Sequence, residues 1–176
     1  MRNTVQIVPL VTLTVVIHGN PAIAADGFEG VTCDSDVAKT LAGRHMSNER
    51  VVVLEARHKD IGLKDLGGSE ISDVLFLSSW QICGSEYMLL EEKQVVRDVL
   101  KVPPHSRAAP EFIGTCRAGD KELDDVVAIL AAAEGKESLA ATAAWRIDVK
   151  EKRFVKLETD GLRCPRDGII TQDGGM

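Results

Sequence analysis

Apolar residues recur at helical spacing early in the chain and at strand spacing further along it. The segment 33–36 carries side-chain oxygens that can cap the free amides of a helix start. Apolar residues at helical spacing follow it: Val37, Ala38, Leu41 and Ala42. This pattern predicts a first helix that ends near Gly43.

A second helix is predicted from the start signal Ser47-Asn48-Glu49 to about Lys59. The run Val51–Val53 would also suit a strand, because β-branched side chains favour extended backbone. The glycines that break this pattern and predict a loop are Gly62, Gly67 and Gly68.

Beyond Ser72 the period changes to that of a strand with one buried face. The apolar residues at even spacing are Val74, Phe76, Trp80 and Ile82. Further segments with strand character are Tyr87–Glu91, Val95–Leu100, Glu111–Arg117, Val126–Leu130, Ala140–Ile147 and Arg153–Leu157. The first two flank Glu92-Lys93 and predict a tight hairpin. The segment 103–110 predicts a loop, because its three prolines cannot donate to a strand ladder.

The order of these elements predicts an α+β fold. One or two N-terminal helices precede an antiparallel sheet of about six to seven short strands, since neighbouring strands in sequence tend to pair. An alternative stays open at the alanine-rich segments 131–133 and 140–141, which could extend a helix and remove one strand.

The start of the chain has the layout of a cleaved signal peptide. Arg2 precedes an apolar run over 5–17, and the small-residue triplet Ala22-Ile23-Ala24 follows. The run is too short to span a bilayer, and Cys33 lies too far along for lipid attachment. We therefore predict a cleaved segment 1–24, a single α+β domain over 25–176, and a periplasmic or extracellular location.

Export would place four cysteines, Cys33, Cys83, Cys116 and Cys164, in an oxidising environment. None of them forms a C-x-x-C pair, so structural disulfides are favoured over a metal or redox site. Four cysteines allow three connectivities. The hypothesis preferred here joins Cys33 to Cys83 and Cys116 to Cys164, which would tie the helical start to the first strand and the tail to the later sheet.

The composition argues against a nucleic-acid partner. The segment after Ala24 has 20 basic and 27 acidic residues, a formal net charge of −7, which repels phosphate backbones. The sequence contains no Gly-x-Ser-x-Gly elbow, phosphate-binding loop or complete calcium loop. No cofactor and no metal site are therefore assigned.

Histidines are the first candidates for catalysis. Glu55 and His58 have the Glu-x-x-His spacing of carboxylate-bridged metal bundles, but those sites need a second such pair, so a surface helix pair is the favoured interpretation. His105 lies between prolines in a predicted loop and has no partner identifiable from the sequence. It is therefore interpreted as an ordinary exposed residue.

One charge asymmetry points to a binding surface. The segment 39–64 carries a local charge of +3 within an acidic chain. The candidate partner-binding residues in it are Arg44, Arg50, Arg57, His58 and Lys59. They favour a non-catalytic module that binds an unknown protein or envelope component. The alternative is a small hydrolase or metal-assisted enzyme that uses a histidine with nearby carboxylates.

Overall fold

A computed structural model describes residues 26–106, 109–132 and 136–166, together with the backbone of 169–170. The predicted signal peptide, 1–24, lies outside these residues, so its cleavage stays a prediction. None of the helices in the described part of the chain is long and apolar enough to cross a membrane.

Two short helices form where the sequence predicts them. Helix α1 spans Val37–Leu41, and Oδ1 of Asp36 caps it by accepting a 3.1 Å hydrogen bond from the amide of Lys39. Helix α2 spans Val51–Arg57 and is followed by a 3-10 helix over Lys59–Ile61. The run Val51–Val53 is therefore helical.

The first sheet is an antiparallel meander of β1 (Lys64–Ser72), β2 (Leu75–Ile82), β3 (Ser85–Glu92) and β4 (Val95–Lys101). The β3–β4 turn consists of Lys93 and Gln94, both at positive φ, as in tight hairpin turns. The predicted hairpin is confirmed, and its turn lies one residue later than predicted.

The second sheet contains six strands: β5 (Glu111–Ala118), β6 (Lys121–Leu130), β7 (Ser138–Asp148), β8 (Arg153–Lys156), β9 (Leu162–Pro165) and β10 (Ile169–Ile170). Its main path has the order β10-β5-β6-β7-β8. Strand β9 pairs with both β5 and β7. The four strands β5, β6, β7 and β9 therefore form a closed ring.

Helices followed by antiparallel strands agree with the α+β prediction, but a single sheet of six to seven strands is wrong. The described residues form ten strands in two sheets. The segment 140–148 belongs to β7, and Ala131 and Ala132 are not helical, which removes the helical alternative for these residues. Strands β9 and β10 were not predicted, because their pairing depends on distant strands rather than on a local repeat.

Strand β1 corrects the prediction of a glycine loop. Gly67 and Gly68 lie inside this edge strand, opposite Ser79 and Ser78 of β2. A Cβ atom on Gly68 would lie 2.7 Å from Cζ of Phe76, so the phenyl ring occupies the space of the missing side chain. Phe76 itself is 45% exposed.

The prediction for β2 is confirmed at Trp80 and Ile82, which are buried, and is wrong at Val74 and Phe76. Val74 and Phe76 are exposed, whereas Leu75, Leu77 and Ile82 are buried. Strand β2 lies between the helices and the second sheet, so buried side chains project from both of its faces, whereas the Phe76 side chain near one end of the strand is left exposed. Even spacing of apolar residues therefore does not describe its buried positions.

Three apolar clusters define the layers. The helices and the N-terminal segment pack on one face of the first sheet, where Phe28 contacts Trp80 with ring centroids 4.8 Å apart. The other face of that sheet packs on the second sheet, with Leu77 and Met88 in one cluster with Val127. The third cluster lies in the β5-β6-β7-β9 ring.

Both preferred disulfides are present. Cys33 is bonded to Cys83 and ties the segment before α1 to the β2–β3 turn. Cys116 is bonded to Cys164 and joins β5 to β9, with both residues fully buried inside the ring. Each bridge thus connects elements that are about fifty residues apart in sequence.

Candidate functional site

The two sheets enclose a cavity at one edge. At the β4 and β8 edge they approach closely, and Nζ of Lys152 lies 2.7 Å from Oε1 of Glu92. Near β1 and β5 they leave a cavity of about 330 Å³. Residues that line it include Gly67, Gly68, Ser69, Ser79, Glu86 and Glu111. It is the candidate functional site.

Glycine in β1 keeps this cavity open. Gly67 has a φ of 104°, a conformation that L side chains rarely adopt, and it follows an irregularity in the β1–β2 register. Its amide donates a 3.1 Å hydrogen bond to Oδ1 of Asp65. Position 67 therefore contributes backbone and no side chain to the wall.

Two carboxyl groups, one from each sheet, meet at the cavity. Glu86 belongs to β3 and Glu111 to β5, and the side chain of Glu111 is only 4% exposed. Burial, followed by the negative charge of Glu86 and a hydrogen bond between the two carboxyl groups, raises the pKa of Glu111 well above its usual range. The pair therefore favours a state in which the two groups share one proton.

His105 completes the cluster and corrects its interpretation as an ordinary exposed residue. Its side chain is 16% exposed, and Nε2 lies 3.3 Å from Oε1 of Glu111. Nδ1 lies 3.1 Å from the carbonyl oxygen of Pro103. A carbonyl oxygen only accepts hydrogen bonds, so Nδ1 carries a proton and donates it. The proline-rich loop thus directs Nε2 towards Glu111.

The cluster offers one nitrogen and two carboxyl ligands. One atom from each of Glu86, His105 and Glu111 can be chosen so that all three lie within 4.8 Å of one another. Such a set can bind a cation or move a proton between carboxyl and imidazole groups. Sequence reasoning missed it because the three residues lie on separate elements and follow no motif spacing. The prolines around His105 were the one local signal of a fixed loop.

Asp26, rather than Glu55, is the partner of His58. Nε2 of His58 lies 2.9 Å from Oδ1 of Asp26, whose side chain is 4% exposed. Glu55 instead accepts a 2.9 Å hydrogen bond from the amide of Asp65. The Glu-x-x-His spacing therefore does not assemble one site.

Arg57 and Arg44 also contact the N-terminal segment, which is the described stretch 26–36 before α1. Arg57 forms ion pairs with Asp26 at 2.5 Å and with Glu49 at 2.6 Å. Burial alone would raise the pKa of Asp26, but hydrogen bonds from His58 and Arg57 and the charge of His58 lower it overall. Arg44 donates to the carbonyl oxygens of Gly27 and Glu29.

The remaining candidate partner-binding residues are on the surface. Arg50 precedes α2 and makes no side-chain cap hydrogen bond, and Lys59 begins the 3-10 helix; both are exposed. The structure therefore separates the predicted cluster into residues that contact the N-terminal segment and residues that face solvent. Its role in partner binding stays a prediction.

Comparison with known protein families, with curated proteins and with solved structures gave no match. The functional interpretation therefore rests on the geometry of this chain.

Proposed function

We propose that this chain is an exported, non-catalytic binding protein that holds a small cationic ligand in the cavity between β1 and β5. The signal-like start and the two disulfides support export. The location is periplasmic or extracellular in this proposal.

The observation that carries the proposal is a buried carboxyl group in the wall of a cavity. The side chain of Glu111 is almost completely buried from solvent. It lines the cavity together with Glu86 of the other sheet. Buried carboxyl groups are costly unless they are paired or protonated. A ligand that brings positive charge would stabilise both as carboxylates, whereas an anionic ligand would be repelled.

Thermal unfolding of the exported, oxidised protein tests this proposal. The probes are Zn²⁺, Mn²⁺, Ca²⁺ and the organic cations putrescine and spermidine, each compared with acetate. At least one cation should raise the unfolding temperature, because a ligand that binds only the folded state stabilises it by mass action. A panel in which no cation shifts the temperature contradicts the proposal.

A variant that fills the cavity locates the binding. Ser69 lines the cavity from β1, so Ser69→Trp should abolish the shift. Lys64→Trp is the matched control, because Lys64 is exposed on the same strand and does not line the cavity. Equal shifts in both variants would place the ligand elsewhere.

A hydrolase is the second candidate function, and the cluster itself favours it. A histidine beside a carboxyl group of raised pKa is an arrangement that acid–base catalysis uses. Hydrolysis of p-nitrophenyl acetate and p-nitrophenyl phosphate tests it. Hydrolysis by the unmodified protein that is lost in the Glu111→Gln variant would support an enzyme. Identical rates for the unmodified protein and the variant would show that the cluster takes no part in the hydrolysis.

A further inference from the structure

We propose that Glu86, His105 and Glu111 form a binding site for one divalent transition-metal ion, for which Zn²⁺ is the probe. This inference rests on the proposed function and names the ligand of the same cavity.

The spacing of the three groups suits one small cation. A tetrahedral ion with bonds of about 2.0–2.2 Å holds its ligand atoms about 3.3–3.6 Å apart. Nε2 of His105 and Oε1 of Glu111 are already 3.3 Å apart. One ligand atom from each of the three residues lies within 4.8 Å of the other two. A small shift of the Glu86 side chain would therefore bring its carboxylate within bonding distance of the same ion.

The burial of Glu111 gives a second, independent indication of a ligand. Oε1 of this carboxyl group is buried and has no hydrogen-bond partner among the residues that the structure describes. Nε2 of His105 is close to it, but the two groups are not aligned for a hydrogen bond. Buried polar oxygens in native proteins nearly always have a partner, and a metal ion between these two atoms would supply it.

The orientation of His105 matches that of metal-binding histidines. Such residues donate their second ring N–H to a carbonyl or carboxylate, which fixes the tautomer and aims the other nitrogen at the metal. Here the carbonyl oxygen of Pro103 accepts from Nδ1 at 3.1 Å. In the neutral ring Nε2 therefore presents a lone pair towards Glu111.

The donor set selects the class of metal. One imidazole and two carboxylates suit Zn²⁺, Mn²⁺ or Fe²⁺, whereas Cu⁺ prefers thiolate or thioether ligands. All four cysteines are disulfide-bonded and offer no thiolate. Ca²⁺ needs six to eight oxygen ligands, more than this set provides. The site leaves coordination positions for water or for a ligand in the adjoining cavity.

Calorimetric titration of the metal-free, oxidised protein with ZnCl₂ tests the inference. We expect about one Zn²⁺ per chain. His105→Ala and Glu111→Gln should each lower the affinity about 100-fold or more, since loss of even an outer-shell partner costs about 10–100-fold. His45→Ala is the matched control, because His45 is exposed and lies outside the cluster.

Absence of Zn²⁺ binding to the unmodified protein overturns the inference, as does binding that His105→Ala and Glu111→Gln leave unchanged. Circular dichroism identifies any variant that fails to fold. If Glu111→Gln fails, His105→Ala and Glu86→Gln decide in its place, and Co²⁺ absorption of the unmodified protein gives a direct readout of imidazole and carboxylate coordination. A Co²⁺ absorption spectrum that is the same in the unmodified protein and in the His105→Ala variant counts against the site.

The result also separates this inference from the proposed function. If Zn²⁺ and Mn²⁺ do not bind but spermidine still shifts unfolding in a Ser69-dependent way, the cavity binds a cation and the metal site is wrong. If no cation shifts unfolding, both proposals fail.

Discussion

The amide of Phe154 donates a 2.7 Å hydrogen bond to Oδ2 of Asp98, although the two residues are 56 positions apart. Oδ1 of the same carboxylate accepts from the amide of Val99 at 2.9 Å. This contact fastens β4 of the first sheet to β8 of the second. Together with the ion pair between Lys152 and Glu92, it joins the sheets at the edge opposite the cavity near β1 and β5.

Removal of the Asp98 carboxylate should loosen this edge. Asp98→Ala leaves the partly buried amide of Phe154 without its acceptor, which should lower the free energy of unfolding by about 1–2 kcal/mol. Asp98→Asn retains an acceptor oxygen and should cost less. Urea unfolding of the three proteins measures both effects, and equal stability of Asp98→Ala and the unmodified protein would show that the bond contributes nothing.

Asp26, the first described residue, should make the free energy of unfolding depend on pH. The pKa of Asp26 is below its usual 3.8, so the unfolded state binds the Asp26 proton more tightly than the folded state. The stabilisation is therefore present above about pH 4 and is lost as the pH falls through the folded-state pKa. Asp26→Asn should be less stable at neutral pH and show a weaker loss on acidification.

Chemical unfolding across a pH series measures this difference. Glu122→Gln is a suitable control, because Glu122 is an exposed acid in a surface ion pair with Arg117. Parallel pH curves for Asp26→Asn and the unmodified protein would mean that contacts of Asp26 with Arg57 and His58 do not favour the carboxylate.

The two disulfides should differ in their access to reductant. Cys33 is exposed and Cys83 is half-buried, whereas Cys116 and Cys164 are fully buried in the ring. Under native conditions, mild reduction and alkylation should therefore label Cys33 and Cys83 first. Mass spectrometry of the labelled peptides checks the order, and earlier labelling of Cys116 and Cys164 would contradict the packing described for the ring.

Each bridge should also contribute to stability. Replacing both cysteines of either pair by serine reopens a loop of about fifty residues, for which the loop-entropy treatment gives about 4 kcal/mol. Calorimetry of the two double variants measures the loss, and a loss below about 1 kcal/mol in both would leave the disulfides without their structural role.

Arg50 and Arg57 should respond differently to charge reversal. Arg57→Glu places a negative charge beside Asp26 and Glu49 and should lower the unfolding temperature. Arg50→Glu changes an exposed residue and should leave stability within about 0.5 kcal/mol. Arg50→Glu is therefore the cleaner variant for the predicted partner surface.

A partner of that surface, once isolated, gives a direct readout. Arg50→Glu should slow its association most at low salt, because screening weakens interactions between exposed charges. If the association rates of Arg50→Glu and the unmodified protein are equal at every salt concentration, Arg50 is only a solvated surface residue and takes no part in binding.

Local signals in the sequence predicted α1, and distant contacts decided the features that were missed. Asp36 caps its helix through residues three positions away, which a sequence shows directly. Gly68 is part of β1 because it pairs with Ser78 of β2, and the Phe76 ring of that strand fills the space that a side chain at position 68 would need. A glycine-rich segment was therefore predicted as a loop where tertiary packing makes it a strand.

The candidate site shows the same limit more strongly. His105 and Glu111 are close in sequence, but the proline-rich loop between them carries no periodicity that predicts their approach. Glu86 joins them only because the two sheets pack against each other. The sequence could therefore name histidines and carboxylates as candidates without showing which of them meet.

The most direct test of the central claim is the position of zinc in crystals of the oxidised protein soaked in ZnCl₂. Diffraction at the zinc absorption edge should give an anomalous difference peak within about 2.0–2.2 Å of Nε2 of His105 and of carboxylate oxygens of Glu86 and Glu111. Peaks confined to surface residues, with these three side chains free of metal, would contradict it.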